Sequence, residues 1–217
     1  MPGEWKRILQ ENQFELGTIE GNLLSAAGGN PAKTILVTSS RPGEGKTTGS
    51  MLVAQALASH AKARVLLVDG HLRSPAIHDL YQIAPEPGLA DLIAGTSTFE
   101  QVIRPSEHRN LSLLPCGSNP SECADSLEAS AFDVVLRDLA TRSDYLVFDA
   151  DSVLASSDGW VLGKFFDGVL LVVECERTKW EVVDTSREKI SRAGGTVLGV
   201  ILNKRKYYVP KALYGRL

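Results

Sequence analysis

The sequence predicts an α/β fold with a doubly wound, mainly parallel sheet and helices on both faces. Two observations support this prediction. Short apolar runs rich in β-branched residues alternate with segments whose apolar residues recur at helical spacing. Two of these runs, residues 65–69 and 145–149, are continuously apolar until each ends in an aspartate, which is typical of strands buried on both faces of a parallel sheet.

The first predicted unit is a strand, a glycine-rich turn and a helix. Residues 35–37 form the apolar strand, residues 39–48 read SSRPGEGKTT, and apolar residues at 52, 53, 56 and 57 have the spacing of a packed helix. Strand, glycine loop, Lys-Thr and helix together predict a P-loop that binds the phosphates of a nucleotide. The predicted binding residues are Pro42, Gly43, Glu44, Gly45, Lys46, Thr47 and Thr48.

The residue types of this loop suit phosphate chemistry. Gly43 and Gly45 let backbone N–H groups approach phosphate oxygens, and the helix start adds a partial positive charge. Lys46 supplies a charge for the outer phosphates, and the Thr47 hydroxyl is placed to ligate Mg²⁺. Ser40 stands where the general pattern has its first glycine. The alternative is a glycine-rich turn with an incidental lysine.

Further strands and helices follow in alternation along the chain. Strands are predicted at 65–69, 111–115, 145–149, 169–173 and 197–202. Residues 88–95 predict a short helix ended by glycine. Two longer helices are predicted from apolar faces at 132, 135, 136 and 139 and, less regularly, at 180, 183 and 190.

Two aspartates at strand ends predict a metal site beside the P-loop. In a doubly wound sheet, ligands collect at the carboxyl ends of the strands, where Asp69 and Asp149 both lie. One of these acids can hold Mg²⁺ through water, and the other can orient or deprotonate the attacking group. A strand-end aspartate can also be a simple turn cap. Asp151 and Asp158 rank below Asp149 because they lie beyond the strand end.

Composition narrows the classes of function. The chain has 217 residues, of which 43% are hydrophobic, which is enough for one domain with a full core. A net charge of -3 argues against a protein that holds nucleic acid by its global charge. No segment approaches about 20 uninterrupted apolar residues, so the sequence predicts a cytoplasmic protein that neither is exported nor spans a membrane.

The cysteines and most histidines show no metal-binding spacing. Three cysteines, an odd number, are typical of free thiols in a reducing compartment. The histidines at 60, 78 and 108 are interpreted as ordinary surface residues, and the cysteines as packing residues.

Three regions are predicted along the chain. Residues 1–33 form an N-terminal arm that could serve oligomerisation, residues 34–204 form the nucleotide-binding domain, and residues 205–217 form a basic, tyrosine-rich tail. The tail contains Tyr207, Tyr208 and Tyr214. Three interpretations stay open for it: a tail docked on the domain, a segment that binds RNA or an anionic membrane, and a set of phosphate acceptors.

Several stretches together resemble the bacterial tyrosine kinases of capsular and exopolysaccharide biosynthesis, which are P-loop relatives of the MinD and ParA ATPases. These stretches are SSRPGEGKTT (39–48), VLLVDGHLRSP (65–75), YLVFDADSVLASSD (145–158), FDGVLLVVE (166–174), VLGVILNK (197–204) and the tyrosine-rich tail. The resemblance spans residues 34–217.

The resemblance implies roles for individual residues. Lys46 and Thr47 would bind ATP phosphates and Mg²⁺, Asp69 would bind metal and activate the tyrosine hydroxyl, and Asp149 would be the Walker B acid. Asn203 would approach the adenine. The three tail tyrosines would be the acceptors, with one subunit's tail entering the next subunit's site. A membrane polysaccharide co-polymerase would be the partner, holding the protein at the inner face of the membrane.

The sequence departs from the family pattern at three places. Asp69-Gly70-His71 stands where the family has Asp-x-Asp, and Ala150-Asp151-Ser152 follows the Walker B acid in place of a proline pair. Gly17 and Glu20 occupy positions where the family has arginines used for ring assembly. Asp151 is a candidate substitute for the lost acid.

Three hypotheses of function follow. The first is an ATP- and Mg²⁺-dependent tyrosine autokinase that regulates exopolysaccharide polymerisation and export. The second is a catalytically weakened regulator that binds ATP and switches partner contacts. The third is a partner-stimulated ATPase like MinD or ParA, although those proteins carry a signature lysine where this chain has Arg41.

Overall fold

The structure, a computed structural model, describes residues 17, 18, 21, 32–59 and 63–205. Its strands are β1 (Thr34–Ser39), β2 (Val65–Asp69), β3 (Arg104–Pro105), β4 (Leu111–Leu114), β5 (Tyr145–Asp149), β6 (Gly168–Glu174) and β7 (Val197–Asn203). Its α-helices are α1 (Lys46–Ser59), α2 (Ile77–Tyr81), α3 (Leu89–Ile93), α4 (Phe99–Val102), α5 (Pro120–Asp125), α6 (Ala129–Thr141), α7 (Asp158–Val161) and α8 (Trp180–Arg192). A 3₁₀ turn, Leu162–Phe165, follows α7.

Within the described ranges, the seven strands form one sheet in the order β3-β4-β2-β5-β1-β6-β7. Neighbouring strands are parallel except β3 and β4, which pair antiparallel. The predicted fold class is therefore confirmed. The strands β2, β5 and β1 are adjacent and parallel, so their carboxyl ends lie side by side. The P-loop after β1 and the aspartates that end β2 and β5 are therefore brought together.

Two apolar layers cover the faces of this sheet. On one face, α1 packs Met51 and Leu57 against strand residues such as Val37, and all three side chains are almost completely buried. On the other face, α6 packs Phe132 against Phe148 of β5, with ring centroids 5.6 Å apart in an edge-to-face arrangement. Burial of each such side chain contributes roughly 1.5–3 kcal/mol, which fixes the strands that carry the site.

Several predictions fall outside the described residues. The N-terminal arm is described only at positions 17, 18, 21, 32 and 33, and the structure describes only residue 205 of the tail. Tyr207, Tyr208 and Tyr214 lie beyond it, so their acceptor role stays a prediction. Among the helices that are described, none combines the length and apolar character needed to cross a bilayer.

Candidate active site

The P-loop leaves β1 and is shaped by two glycines with positive φ. Gly43 has φ +84° and Gly45 has φ +93°, and residues other than glycine adopt such backbone angles only at an energetic cost. A Cβ on Gly45 would lie 2.1 Å from Nδ2 of Asn203, at the end of β7. Asn203 Nδ2 donates a hydrogen bond to the Glu44 carbonyl at 2.9 Å. The absence of a side chain at 45 therefore lets β7 support the loop directly.

The Glu44 side chain also supports the loop from within. It is 2% exposed, and its Oε2 accepts a hydrogen bond from the Arg41 backbone N–H at 2.8 Å. Its Oε1 accepts from the Thr178 hydroxyl. Lys204 Nζ donates to the Gly43 carbonyl at 2.6 Å. With its carboxylate engaged in this way, Glu44 can offer a phosphate only its backbone N–H.

Lys46, at the first position of α1, ends a chain of three polar side chains. Its Nζ lies 3.0 Å from His71 Nδ1, and His71 Nε2 lies 2.8 Å from Asp151 Oδ1. An ammonium can only donate, so His71 Nδ1 accepts and His71 Nε2–H donates to Asp151. His71 and Asp151, which both depart from the family pattern, are therefore linked in one chain to Lys46 of the P-loop.

Asp149 ends β5 in the middle of the site. It pairs in register with Asp69 of β2 on one side and Val37 of β1 on the other, and its side chain is fully buried. Neither carboxylate oxygen has a hydrogen-bond partner among the residues that the structure describes. Burial raises the pKa of Asp149 to about 6, although the nearby Lys46 charge and Thr47 hydroxyl act in the opposite direction.

Asp69 is also fully buried, but half of its carboxylate is occupied. Oδ2 accepts backbone N–H bonds from Ala76 at 3.1 Å and Ile77 at 2.9 Å, and so holds the start of α2. Oδ1 has no hydrogen-bond partner in the described part of the chain. Burial raises the pKa of Asp69, and the two backbone hydrogen bonds oppose that rise. One oxygen is thus structural and the other is available for chemistry.

These residues fit a divalent cation. Two buried carboxylates lie at in-register positions of adjacent strands, and three of their oxygens lack hydrogen-bond partners within the described ranges. Such oxygens are costly to bury without a cation or a proton, and oxygen ligands are those that Mg²⁺ prefers. Thr47, the second residue of α1, lies beside Asp149 and can complete the ligand set. The structure therefore brings together Lys46, Thr47, Asp69 and Asp149, as the sequence predicts.

Arg73, in the loop after β2, lies near two aspartates of helices α5 and α7. Its Nη1 lies 2.8 Å from Asp125 Oδ1, and its Nη2 lies 3.7 Å from Asp158 Oδ2. Both contacts are partly exposed, so each stabilises the fold by little. Asp158, ranked low from the sequence, thus has a counter-ion outside the carboxylate pair.

The interpretation of His78 as an ordinary surface residue is wrong. His78 lies in α2, its Nδ1 is buried 3.8 Å from Asp69 Oδ2, and that nitrogen has no hydrogen-bond partner within the ranges described. Cys116, two residues beyond β4, is 2% exposed on the same side of Asp69. Burial, reinforced by the charge of Asp69, raises the pKa of the Cys116 thiol to about 11. No spacing in the sequence connects these residues.

Comparison with protein families matches residues 32–191 to the family described as AAA domain. Among curated proteins, the chain is 29% identical over 195 residues to tyrosine-protein kinase YwqD of Bacillus subtilis, covering 90% of this chain and 82% of that protein. It is 30% identical over 179 residues to succinoglycan biosynthesis transport protein ExoP of Rhizobium meliloti, covering 81% of this chain and 23% of ExoP.

Solved structures of a kinase domain and of an ATPase are also similar to this chain. The VpsO kinase domain superposes with a TM-score of 0.79 at 35% identity, covering 93% of this chain and 98% of that domain. The Pyrococcus furiosus cell division ATPase MinD superposes with a TM-score of 0.67 at 23% identity, covering 85% of this chain and 79% of MinD, and at that identity it shows the fold alone. The fold and its P-loop are of the nucleotide-binding type.

Proposed function

This chain belongs to the AAA-domain family and, within it, to the bacterial tyrosine-protein kinases, and we propose that it is an ATP- and Mg²⁺-dependent tyrosine autokinase. Its product would be phosphotyrosine in its own tail, and its role would be to regulate exopolysaccharide polymerisation and export. The observation that carries this proposal is the pairing of Asp69 with Asp149 beside Lys46.

The site favours transfer of the terminal phosphoryl group. Loop amides and the α1 N-terminus would hold the phosphates, and Lys46 would move from His71 to the outer phosphate oxygens. Thr47 and Asp149 would hold Mg²⁺ directly and Asp69 would hold it through water, and the ion when bound supplies positive charge near the transferring group. Positioning and electrostatics of this kind supply most of the rate in phosphoryl transfer.

Asp69 is proposed to accept the proton of the attacking hydroxyl. Its Oδ2 is fixed by the Ala76 and Ile77 amides, so the side chain is held in one orientation. Its Oδ1, which lacks a partner in the described residues, is the atom left to take the proton. Burial raises the pKa of this carboxylate, which makes it a better proton acceptor than an exposed aspartate.

The substrate hydroxyls are proposed to be those of Tyr207, Tyr208 and Tyr214. Support comes from the sequence: five positive charges and three tyrosines follow directly after β7. Asn203 and Lys204, where β7 ends, contact the P-loop, so the tail departs from the edge of the site. Self-association would let one subunit's tail reach the next subunit's site. The division into residues 1–33, 34–204 and 205–217 is part of this proposal.

A membrane polysaccharide co-polymerase is the proposed partner. ExoP, a biosynthesis transport protein, matches this chain over only 23% of its own length, so that relative carries much additional chain. For the present protein, a separate or fused partner would provide the contact with the inner face of the membrane. No nucleic-acid partner is proposed for a chain with a net charge of -3.

The test is mass spectrometry of the purified protein after incubation with MgATP. Wild type should gain phosphate on tail tyrosines, and Lys46→Met should lose nearly all of it because the phosphates lose their main side-chain charge. Lys33→Met, which removes an exposed lysine directly before β1, should leave labelling unchanged. Absence of phosphotyrosine in wild type, even with the co-polymerase's cytoplasmic segment added, would refute the proposal. Phosphate release without labelling would favour a MinD-like ATPase.

One observation favours a second candidate, a regulator that binds ATP without efficient transfer. His71 replaces an acid of the family pattern, and it holds Lys46 Nζ at 3.0 Å. In that case nucleotide affinity should persist in wild type, and His71→Asp should raise phosphotyrosine by restoring an oxygen ligand. Calorimetry with MgATP and labelling with ATP separate the two candidates, and no gain in His71→Asp would count against the regulator.

A further inference from the structure

We propose that Asp69, His78 and Cys116 form a second cation site, for a borderline transition metal such as Zn²⁺, whose occupancy withdraws Asp69 from catalysis. One ligand atom from each of these residues lies within 4.8 Å of the other two. Two of the residues offer buried atoms with no hydrogen-bond partner in the described part of the protein, namely Asp69 Oδ1 and His78 Nδ1. Asp69 itself is fully buried.

The fold assembles this site from three separate segments. Asp69 ends β2, and Cys116 follows the end of β4, the neighbour of β2 on the side away from β5. His78 is the second residue of α2, the helix whose first amides are bound by Asp69 Oδ2. The same carboxylate therefore fixes the helix that carries the imidazole. These constraints hold the ligands near one another before any metal arrives.

The donor atoms select the type of metal. A sulfur, a nitrogen and an oxygen suit Zn²⁺, whereas Mg²⁺ takes oxygen ligands almost exclusively. At Zn–ligand bonds of about 2.0–2.3 Å, tetrahedral ligand atoms lie about 3.3–3.8 Å apart. His78 Nδ1 lies 3.8 Å from Asp69 Oδ2, which is bonded to the same carbon as Oδ1, so the imidazole already lies close to this carboxylate. Three protein ligands leave a fourth position for water or a phosphate oxygen, and the Cys116 thiol releases its proton to solvent as sulfur binds the metal.

Zinc at this site would inhibit the kinase. The proposed function needs Asp69 for Mg²⁺ and for the hydroxyl proton, and a carboxylate bound to Zn²⁺ is available for neither. The inhibition rests on the proposed function, but metal binding itself does not. His78 and Cys116 would thus be regulatory ligands on the side of Asp69 opposite to Asp149.

Co²⁺ is the spectroscopic probe for binding, because a cobalt–thiolate bond gives a charge-transfer absorption band. Titration of metal-free wild type with Co²⁺ should produce this band, and Zn²⁺ should abolish it by displacement. Cys116→Ser should lack the band, while Cys123→Ser, which changes another partly buried thiol, should retain it. His78→Ala should weaken cobalt binding at least tenfold. No band in wild type, or a band that persists in Cys116→Ser, would overturn the site.

A phosphorylation assay with and without Zn²⁺ tests the regulatory role of the site separately from the kinase assignment. In the presence of Mg²⁺ and ATP, micromolar Zn²⁺ should lower tyrosine phosphorylation of wild type, and Cys116→Ser should keep its activity and lose the zinc sensitivity. Equal inhibition of both proteins would overturn the regulatory role. If wild type shows no phosphorylation at all, the kinase assignment fails while the cobalt titration still decides the metal site. Circular dichroism of both variants confirms that they are folded.

Discussion

Replacement of the buried Asp149 should change how the stability of the nucleotide-free protein depends on pH. Asp149 is fully buried, and burial raises its pKa to about 6 from an ordinary value of 3.8. Between these two values the folded protein keeps a proton that the unfolded chain has released. The free energy of unfolding therefore falls as pH rises through this window, and stays lower above it. Asp149→Asn removes the titrating group, so the free energy of unfolding of the variant should not fall in this way as pH rises.

The size of the effect follows from the pKa difference. At about 1.4 kcal/mol for each pKa unit, ionised Asp149 costs the folded state about 3 kcal/mol at neutral pH. The asparagine amide has its own cost of about 1–3 kcal/mol if its polar atoms stay unpaired. That cost does not vary with pH, so the stability of the variant relative to wild type should rise by about 2–2.5 kcal/mol between about pH 4 and pH 7.

Urea unfolding of both proteins in a chelating buffer measures this relative stability at each pH. Asp144→Asn is the matched control, because Arg64 holds the pKa of Asp144 below its usual range through hydrogen bonds and charge. Its relative stability should change in the opposite direction with pH. If the difference in unfolding free energy between wild type and Asp149→Asn stays constant from pH 4 to pH 7, the reasoning that burial raises the pKa of Asp149 is refuted.

Two further substitutions test the loop and the core. Gly45→Ala should abolish MgATP binding in calorimetry and lower the melting temperature, because its Cβ would meet Asn203 at 2.1 Å in a strained conformation. Gly43→Ala, which has a similar φ but nothing within 4 Å, should be milder, and equal effects would contradict the close-approach argument. Phe132→Ala should cost about 3–5 kcal/mol in urea unfolding. Val134→Ala, 68% exposed on the same helix, should cost under about 0.5 kcal/mol, and a similar loss in both would contradict the assigned core face.

The sequence was sufficient to predict the fold and the placement of two strand-end aspartates beside the P-loop. Parallel strands buried on both faces are continuous apolar runs, so β2 and β5 are visible without any knowledge of their neighbours. Each run ends in a carboxylate, and parallel strands end at one edge of the sheet. The proximity of Asp69 and Asp149 to the P-loop therefore follows from local patterns.

Contacts that depend on strand order and loop shape could not be predicted in this way. Cys116 approaches Asp69 only because β4 lies next to β2, and β4 is distant from β2 in the sequence. His78 faces the same carboxylate because Asp69 Oδ2 binds the first amides of α2, a loop geometry that no residue spacing encodes. The bracing of Glu44 by Asn203 likewise joins the loop to the last strand of the sheet.

Two of the three departures from the family pattern, His71 and Asp151, together conserve the charge beside Lys46. Loss of the second acid at 71 would leave Lys46 with one fewer counter-charge, and Asp151 supplies that charge from the loop after β5, with His71 as the bridge at 3.0 and 2.8 Å. His71→Asp alone therefore adds a carboxylate to a site that already has Asp151, and mutual repulsion should limit its gain. The double variant with Asp151→Asn should give more phosphotyrosine than His71→Asp. A double variant no better than the single one would show that Asp151 does not serve as the displaced acid.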